Sequence, residues 1–103
     1  MDAFTIERNR LIIQFELFND TQELIDHCLH LIESEHEEIE IYFSDRVFMI
    51  SSHHIGILMM TAAGAKIKGK ELTIFCTGRL KDTIHMLGGD KLHMSVREDL
   101  VQE

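Results

Sequence analysis

A long stretch without a charged residue, residues 47–65, constrains the fold of this chain more than any other feature. It begins with apolar residues, passes through a polar tetrapeptide at residues 51–54 and then becomes apolar again. A membrane-spanning helix needs about 20 predominantly apolar residues, and the tetrapeptide would lie well inside such a span. Gly56, Thr61 and Gly64 also make the second half only weakly apolar. We therefore predict a buried strand end, a tight turn and a helix, with no insertion into a membrane.

The polar turn places two hydroxyl groups and two imidazoles at the start of the predicted helix: Ser51, Ser52, His53 and His54. The first backbone N–H groups of a helix lack intrahelical acceptors, and the helix dipole leaves partial positive charge there. Such a position suits a serine cap or a phosphate group. We predict that this turn is the functional position of the chain.

The composition predicts one soluble globular domain over residues 1–103, with 45% hydrophobic and 27% charged residues. The formal net charge is −8, from 18 acidic and 10 basic residues. A phosphate backbone would be repelled on average by this charge. We therefore do not expect nucleic acid as a partner.

The N-terminus and the cysteines both indicate a cytoplasmic protein. Residues 1–8 contain neither a basic region nor a continuous apolar region of the kind found in signal peptides. Cys28 and Cys76 are far apart and form no Cys-x-x-Cys pair. They fit two buried thiols in a reducing compartment.

Strands and helices are predicted to alternate along the chain. Period-two and continuous apolar runs indicate strands at residues 4–6, 11–18, 39–43 and 72–76, and a further edge strand at 92–94. Helical spacing indicates helices from about residue 21 to 35, from 52 to 69 and from 78 to 88, with a final turn or short helix at 96–101. This order predicts an α/β fold, in which helices pack against a mixed sheet of four to five strands.

The helix after Ser52 carries two apolar stripes. The first contains Ile55, Leu58, Met59 and Ala62, and the second contains Ile57, Met60, Gly64 and Ile67. Two stripes are more than one sheet face requires. We expect the first stripe in the core, whereas the second is either a further core face or a partner-binding surface.

Residues 47–58 resemble the signature of the STAS domain, which anti-sigma factor antagonists share with the cytoplasmic tails of sulfate transporters. That signature is an apolar strand end followed by Asp-Ser-Ser/Thr-Gly and then Leu-Gly-x-Leu. Residues 68–74 are similar to the family's Lys-x-Gly-x-x-Leu pattern at the start of a strand. Residues 80–92 resemble its closing helix and the Gly-x-x-Lys-Leu that follows. The resemblance covers about residues 4 to 95 in matching order.

The resemblance implies a STAS-like fold and a non-enzymatic domain that binds a protein partner and needs no cofactor. In the antagonist branch, the partner is an anti-sigma factor with a kinase fold. Phosphorylation of the second Ser/Thr of the signature switches that binding off. Some small STAS proteins are instead accessory subunits of membrane transport complexes, and the partner would then be a subunit of a lipid-transport ATPase.

The sequence departs from the family signature at the phosphorylated position. Gapless alignment puts Ser51 at the family's Asp, Ser52 at its first Ser, His53 at its phosphorylated Ser/Thr and His54 at its Gly. Because a histidine cannot become phosphoserine, Ser52 is the alternative acceptor and Ser51 the second candidate. Both serines have a simpler interpretation as a helix cap, which contributes about 1 kcal/mol.

The predicted partner-binding surface combines the turn with the second stripe: Ser51, Ser52, His53, His54, Ile57 and Met60. The positive helix start disfavours protonated imidazoles, so we expect the histidines of the turn to be neutral.

Two other kinds of site are weaker interpretations of the sequence. His27 and His30 have a ligand-like spacing, but no Cys or carboxylate follows them at a recognised zinc spacing, so we predict no metal site. Ser52 beside His53 invites an interpretation as nucleophile and base. Sequence neighbours seldom adopt that geometry, and no Gly-x-Ser-x-Gly motif is present, so we do not expect an enzyme.

Overall fold

The structure is a computed structural model that describes residues 4–14, 21–47 and 49–96. The described residues form five strands and three helices: β1 (Phe4–Glu7), β2 (Arg10–Ile13), α1 (Thr21–Glu33), β3 (Glu38–Phe43), α2 (Ser52–Ile67), β4 (Glu71–Cys76), α3 (Gly78–Met86) and β5 (Met94–Val96). No helix within these residues is both long enough and apolar enough to cross a membrane.

The five strands form one mixed sheet in the order β1-β2-β3-β4-β5. β1 pairs antiparallel with β2, and each later strand pairs parallel with the strand before it. Every crossover therefore advances in the same direction, and right-handed crossovers place all three helices on one face of the sheet. The predicted α/β fold is confirmed, and the arrangement is consistent with a STAS-like fold.

The core lies between the sheet and the helices. Alternate residues of the central strand β3 point into it, so that Ile39, Ile41 and Phe43 are fully buried while Glu38 is exposed. Leu24 and Leu31 of α1 are also inaccessible to solvent, as are Leu58 of α2 and Leu80 and Ile84 of α3. These side chains belong to one continuous hydrophobic cluster.

The opposite face of the sheet carries a charged and aromatic cluster. The Arg10 guanidinium forms an ion pair with Glu40 at 2.8 Å and lies 5.0 Å from the centre of the Tyr42 ring and 5.6 Å from that of Phe75. Cation–π contacts of this kind and the ion pair join β2, β3 and β4, and the three described helices follow the parallel strands to the other face. This face is partly shielded by its own side chains.

The boundaries differ from the sequence prediction at several places. The strand predicted at 11–18 ends at Ile13, since Gln14 no longer belongs to it, and residues 15–18 of that prediction lie outside the described residues. The edge strand lies at Met94–Val96, not at 92–94, and most of the turn predicted at 96–101 is outside the described part. The strand end predicted before the polar turn is wrong, since the described residues from 44 to 51 form a loop. Val47 and Ile50 are buried nevertheless, which explains their apolar character.

Candidate functional site

The loop between β3 and α2 brings the polar turn to the carboxyl end of the parallel strands. Ser44 begins this loop, and its hydroxyl donates a hydrogen bond to the Gln14 carbonyl at 2.8 Å. The buried side chains of Val47 and Ile50 then hold the loop against the core. The carboxyl ends of parallel strands are where open α/β sheets most often bind their ligands. The turn therefore lies at a favourable position for function.

Ser51 is the N-cap of α2, as the sequence allowed. Its backbone is extended, with φ −86° and ψ 161°, and its Oγ accepts a hydrogen bond from the His54 N–H at 3.2 Å. The same oxygen lies 2.7 Å from Nδ1 of His54, and the Ser51 carbonyl accepts from the Ile55 N–H at 3.1 Å. The Ser51 hydroxyl is thus fully engaged in starting the helix.

Ser52 and His53 are exposed at the first positions of α2. Within the part of the chain that the structure describes, the Ser52 hydroxyl has no hydrogen-bond partner. The backbone N–H groups of the same two residues belong to the first turn, where no intrahelical carbonyl can accept from them. A free hydroxyl and free N–H donors therefore occur together at this helix start.

His54 lies inside the protein, although the sequence prediction placed it on the partner-binding surface. Its side chain is 3% exposed, because the helical period puts it on the same face as Leu58, Thr61 and Ala65, which are all buried. Burial lowers the pKa of His54, and the neighbouring His53 lowers it further. The ring is therefore neutral near pH 7, and in this conformation it is not available to a docking protein.

The His54 ring has one satisfied and one unsatisfied nitrogen. Nδ1 is hydrogen-bonded to Ser51, whereas Nε2 is buried without a partner among the described residues. A protonated ring would place a charged N–H at that unsatisfied position, and a buried unpaired charge is costly. The geometry thus favours the neutral ring in either tautomer.

Each of the two apolar stripes of α2 contains both buried and exposed residues, which differs from the prediction. In the first stripe Ile55 and Leu58 are buried, but the prediction that Met59 belongs to the core is wrong, since it is 39% exposed. In the second stripe Ile57 is buried, whereas Met60 is 74% exposed and Ile67 is 85% exposed. Of the predicted surface residues, the structure therefore exposes Ser51, Ser52, His53 and Met60, and buries His54 and Ile57.

Gly56 is a candidate contact residue that the sequence prediction missed. It lies between Ser52 and Met60 on the outer side of α2, and a Cβ atom at this position would have no other atom of the described residues within 4 Å. Glycine inside a helix costs roughly 1 kcal/mol relative to alanine, and no close packing requires it here. Its unfavourable position in a helix was the signal available in the sequence. Because glycine has no side chain, another backbone can approach the outer face of α2 closely at this position.

The histidine and the cysteines considered as possible site residues are engaged in contacts within the fold or are buried. Nε2 of His27 lies 3.6 Å from a Glu23 carboxylate oxygen, and its ring centre is 5.1 Å from that of Phe4. No group of three or more potential ligands that could hold a metal ion occurs among the described residues. Cys28 and Cys76 are free thiols and buried, as predicted, and burial raises the pKa of Cys76 to about 11.

Comparison with protein-family models gives no match, and comparison with curated protein sequences gives none either.

Proposed function

We propose that this chain is a cytoplasmic, non-enzymatic domain of the STAS type that binds a protein partner through the exposed start of α2. The partner is an anti-sigma factor with a kinase fold, and phosphorylation of Ser52 releases it. The observation that carries this proposal is the exposed Ser52 hydroxyl, which has no hydrogen-bond partner among the described residues, at a helix start with unsatisfied N–H groups.

Ser52 is favoured over Ser51 as the acceptor because the two hydroxyls have different surroundings. Ser51 Oγ accepts from the His54 N–H and is hydrogen-bonded to the same residue's ring. Phosphorylation of Ser51 would turn the Oγ that makes both contacts into an ester oxygen, so its hydrogen bonds with His54 would have to rearrange. Ser52 can be modified without breaking any contact that the structure describes.

A phosphate on Ser52 would change the surface more than the fold. It adds about −1.5 to −2 charges and three acceptor oxygens. The free N–H groups of Ser52 and His53 and the positive end of the helix dipole favour this charge locally. The helix is therefore retained while the partner meets a new anion.

The exposed face next to Ser52 suits a protein contact. Met59 and Met60 present flexible apolar side chains, which adapt to varied partner shapes. Gly56 lies between them and Ser52, so a partner can approach the helix backbone closely. A phosphate at Ser52 would then lie at the edge of this apolar contact.

The Ser51 and His54 pair supports a non-enzymatic role. The two side chains are hydrogen-bonded at 2.7 Å, as in a nucleophile and its base. However, the serine also caps the helix, the lowered pKa makes the imidazole a weaker base, and no carboxylate orients Nε2 among the described residues. In Ser-His-Asp hydrolases, by contrast, a third group orients the base.

We expect Ser52→Glu to reduce the amount of partner that co-purifies with the chain from its native cells by fivefold or more. Ser52→Ala should retain the partner, because it removes only a free hydroxyl. Quantitative mass spectrometry of tagged wild-type and variant chains measures both effects and locates any phosphate. Met86→Glu is the matched control, since it adds the same charge at an exposed position on α3.

Three outcomes would contradict this proposal at different points. If Ser52→Glu and the wild type recovered equal amounts of partner, a negative charge at Ser52 would not control binding. A partner that co-purifies while residues 51–54 are never modified would make the chain a phosphorylation-independent binder. Recovery of a lipid-transport ATPase subunit instead of a kinase-type protein would support the accessory-subunit alternative.

Gly56→Leu is expected to abolish partner recovery while the fold is retained. The Cβ atom of the new side chain has no described atom within 4 Å, so the side chain leaves the helix without a clash at its base and blocks close approach to α2. Thermal unfolding of the purified variant should occur at or above the wild-type temperature, because leucine has a better helix propensity than glycine. Ala63→Leu, also exposed on α2 but farther from the turn, should retain the partner; if it loses the partner equally, the contact is not centred on Gly56.

A further inference from the structure

An apolar groove lies between α1 and α2, one to four helical turns beyond the polar turn. Both helices follow parallel strands and therefore run in the same direction, side by side on the sheet. The groove has a volume of about 300 Å³, at the lower end of the range for small-molecule sites. Its walls are Ile25, Leu29 and Ile32 from α1 and Ile57, Met60 and Ile67 from α2.

Gly64 creates much of the depth of this groove. A Cβ atom at Gly64 would lie 3.1 Å from Cδ1 of Ile32, so a larger residue would fill the space between the helices. Leu29, Met60 and Ile67 rise at the sides with much of their apolar surface in solvent. The groove is thus a concave apolar feature with a floor of small side chains.

The polar groups in the floor are already satisfied. The Thr61 hydroxyl donates to the Ile57 carbonyl at 2.8 Å and also interacts with the Cys28 thiol. Neither group needs a hydrogen bond from a ligand. A sugar or nucleotide would lose its own hydrogen bonds to water here without replacement, so the groove suits an apolar ligand body.

One cation completes the lining at the end of the groove. Lys68 follows the last turn of α2, and within the part of the chain that the structure describes it forms no ion pair. Lys68 lines the groove through its aliphatic stem, and its exposed side chain can place the ammonium group at the mouth. An apolar channel with a lysine at one end is complementary to a molecule with an apolar chain and an anionic head.

We propose that the groove between α1 and α2 binds a single-chain anionic amphiphile, namely a fatty acid, with its alkyl chain along the helices and its carboxylate at Lys68. The groove spans about 16 Å from Ile57 to Lys68 at the rise of an α-helix, which suits an extended chain. A protein partner would need about 800 Å² on each side for a stable contact, more than this narrow groove provides. The proposal does not depend on the role of Ser52.

The test measures binding of dodecanoate to the purified chain by calorimetry, below the concentration at which the amphiphile forms micelles. We expect saturable binding of one molecule per chain. Dodecyltrimethylammonium has the same alkyl chain with a cationic head and should bind at least tenfold more weakly. Equal affinity for the two amphiphiles, or no binding of dodecanoate, would overturn the proposal.

Two variants locate the ligand. Lys68→Glu should weaken dodecanoate binding about fivefold or more, whereas Lys66→Glu, an equal charge change on the last turn of α2 outside the groove, should leave it within twofold. Ile67→Asp should weaken it similarly without unfolding the chain, because Ile67 is already exposed. Equal losses with Lys66→Glu and Lys68→Glu would place the anion elsewhere and refute the assigned orientation.

Discussion

Truncation of Leu58 to alanine is expected to lower the free energy of unfolding by about 3 to 5 kcal/mol. Leu58 lies on the inner face of α2 and is 0% exposed. The truncation removes buried methyl groups and leaves a cavity that the surrounding side chains fill only in part. Urea denaturation of the purified variant, followed by circular dichroism, measures this difference.

Met60→Ala is the matched control for this prediction. It truncates a large apolar side chain two residues farther along the same helix, but the side chain is mostly in solvent. We expect it to change the free energy of unfolding by less than about 0.5 kcal/mol. Comparable losses for Leu58→Ala and Met60→Ala would mean that α2 packs with a different face inward.

The sequence pattern of α2 could not decide which face is buried. Its residues are apolar nearly all round, so the period identifies a helix without giving one direction toward the core. Which face of α2 is buried depends on the positions of α1 and the sheet. Met59 and Met60 remain exposed to solvent, whereas Ile57 is covered by its neighbours. These contacts join residues far apart in sequence, which a local pattern does not contain.

The strands and the start of α2 were more predictable. The alternation Ile39, Ile41, Phe43 identifies the inner face of β3 without knowledge of its neighbours. The cap at Ser51 follows from local chemistry, since a serine hydroxyl satisfies an N–H group two or three residues later. The apolar residues of the loop before it predict a strand end, but they are apolar because the loop is buried. Burial alone does not distinguish a strand from an anchored loop.

At the candidate site, too, the local sequence pattern did not show that His54 is on the buried face of α2. The sequence grouped it with Ser52 and His53 as one polar surface, because the three residues are adjacent. Successive residues on a helix are about 100° apart, so adjacent side chains point in different directions. His54 turns inward beside Leu58, and only Ser52 and His53 remain outside. The partner-binding surface proposed above is correspondingly smaller than the predicted one.

The inward position of His54 gives the fold a dependence on pH. Burial, with a further contribution from His53, lowers the pKa of His54 in the folded chain below its ordinary value of 6.5. As the pH falls below about 6.5, the unfolded chain therefore takes up this proton before the folded chain does. The stability that comes from the neutral ring is fully present above that pH and is lost progressively toward the folded-state pKa.

We expect the free energy of unfolding of the wild-type chain to fall between pH 7.5 and pH 5.5, with a contribution from His54 of at most about 1.4 kcal/mol per pH unit. His54→Gln should reduce this fall, because glutamine does not titrate in this range. His93→Gln, which replaces an exposed histidine, should keep the wild-type pH dependence. Urea denaturation at the two pH values measures all three chains. If His54→Gln and wild type lost equal stability on acidification, the buried imidazole would not be the group responsible.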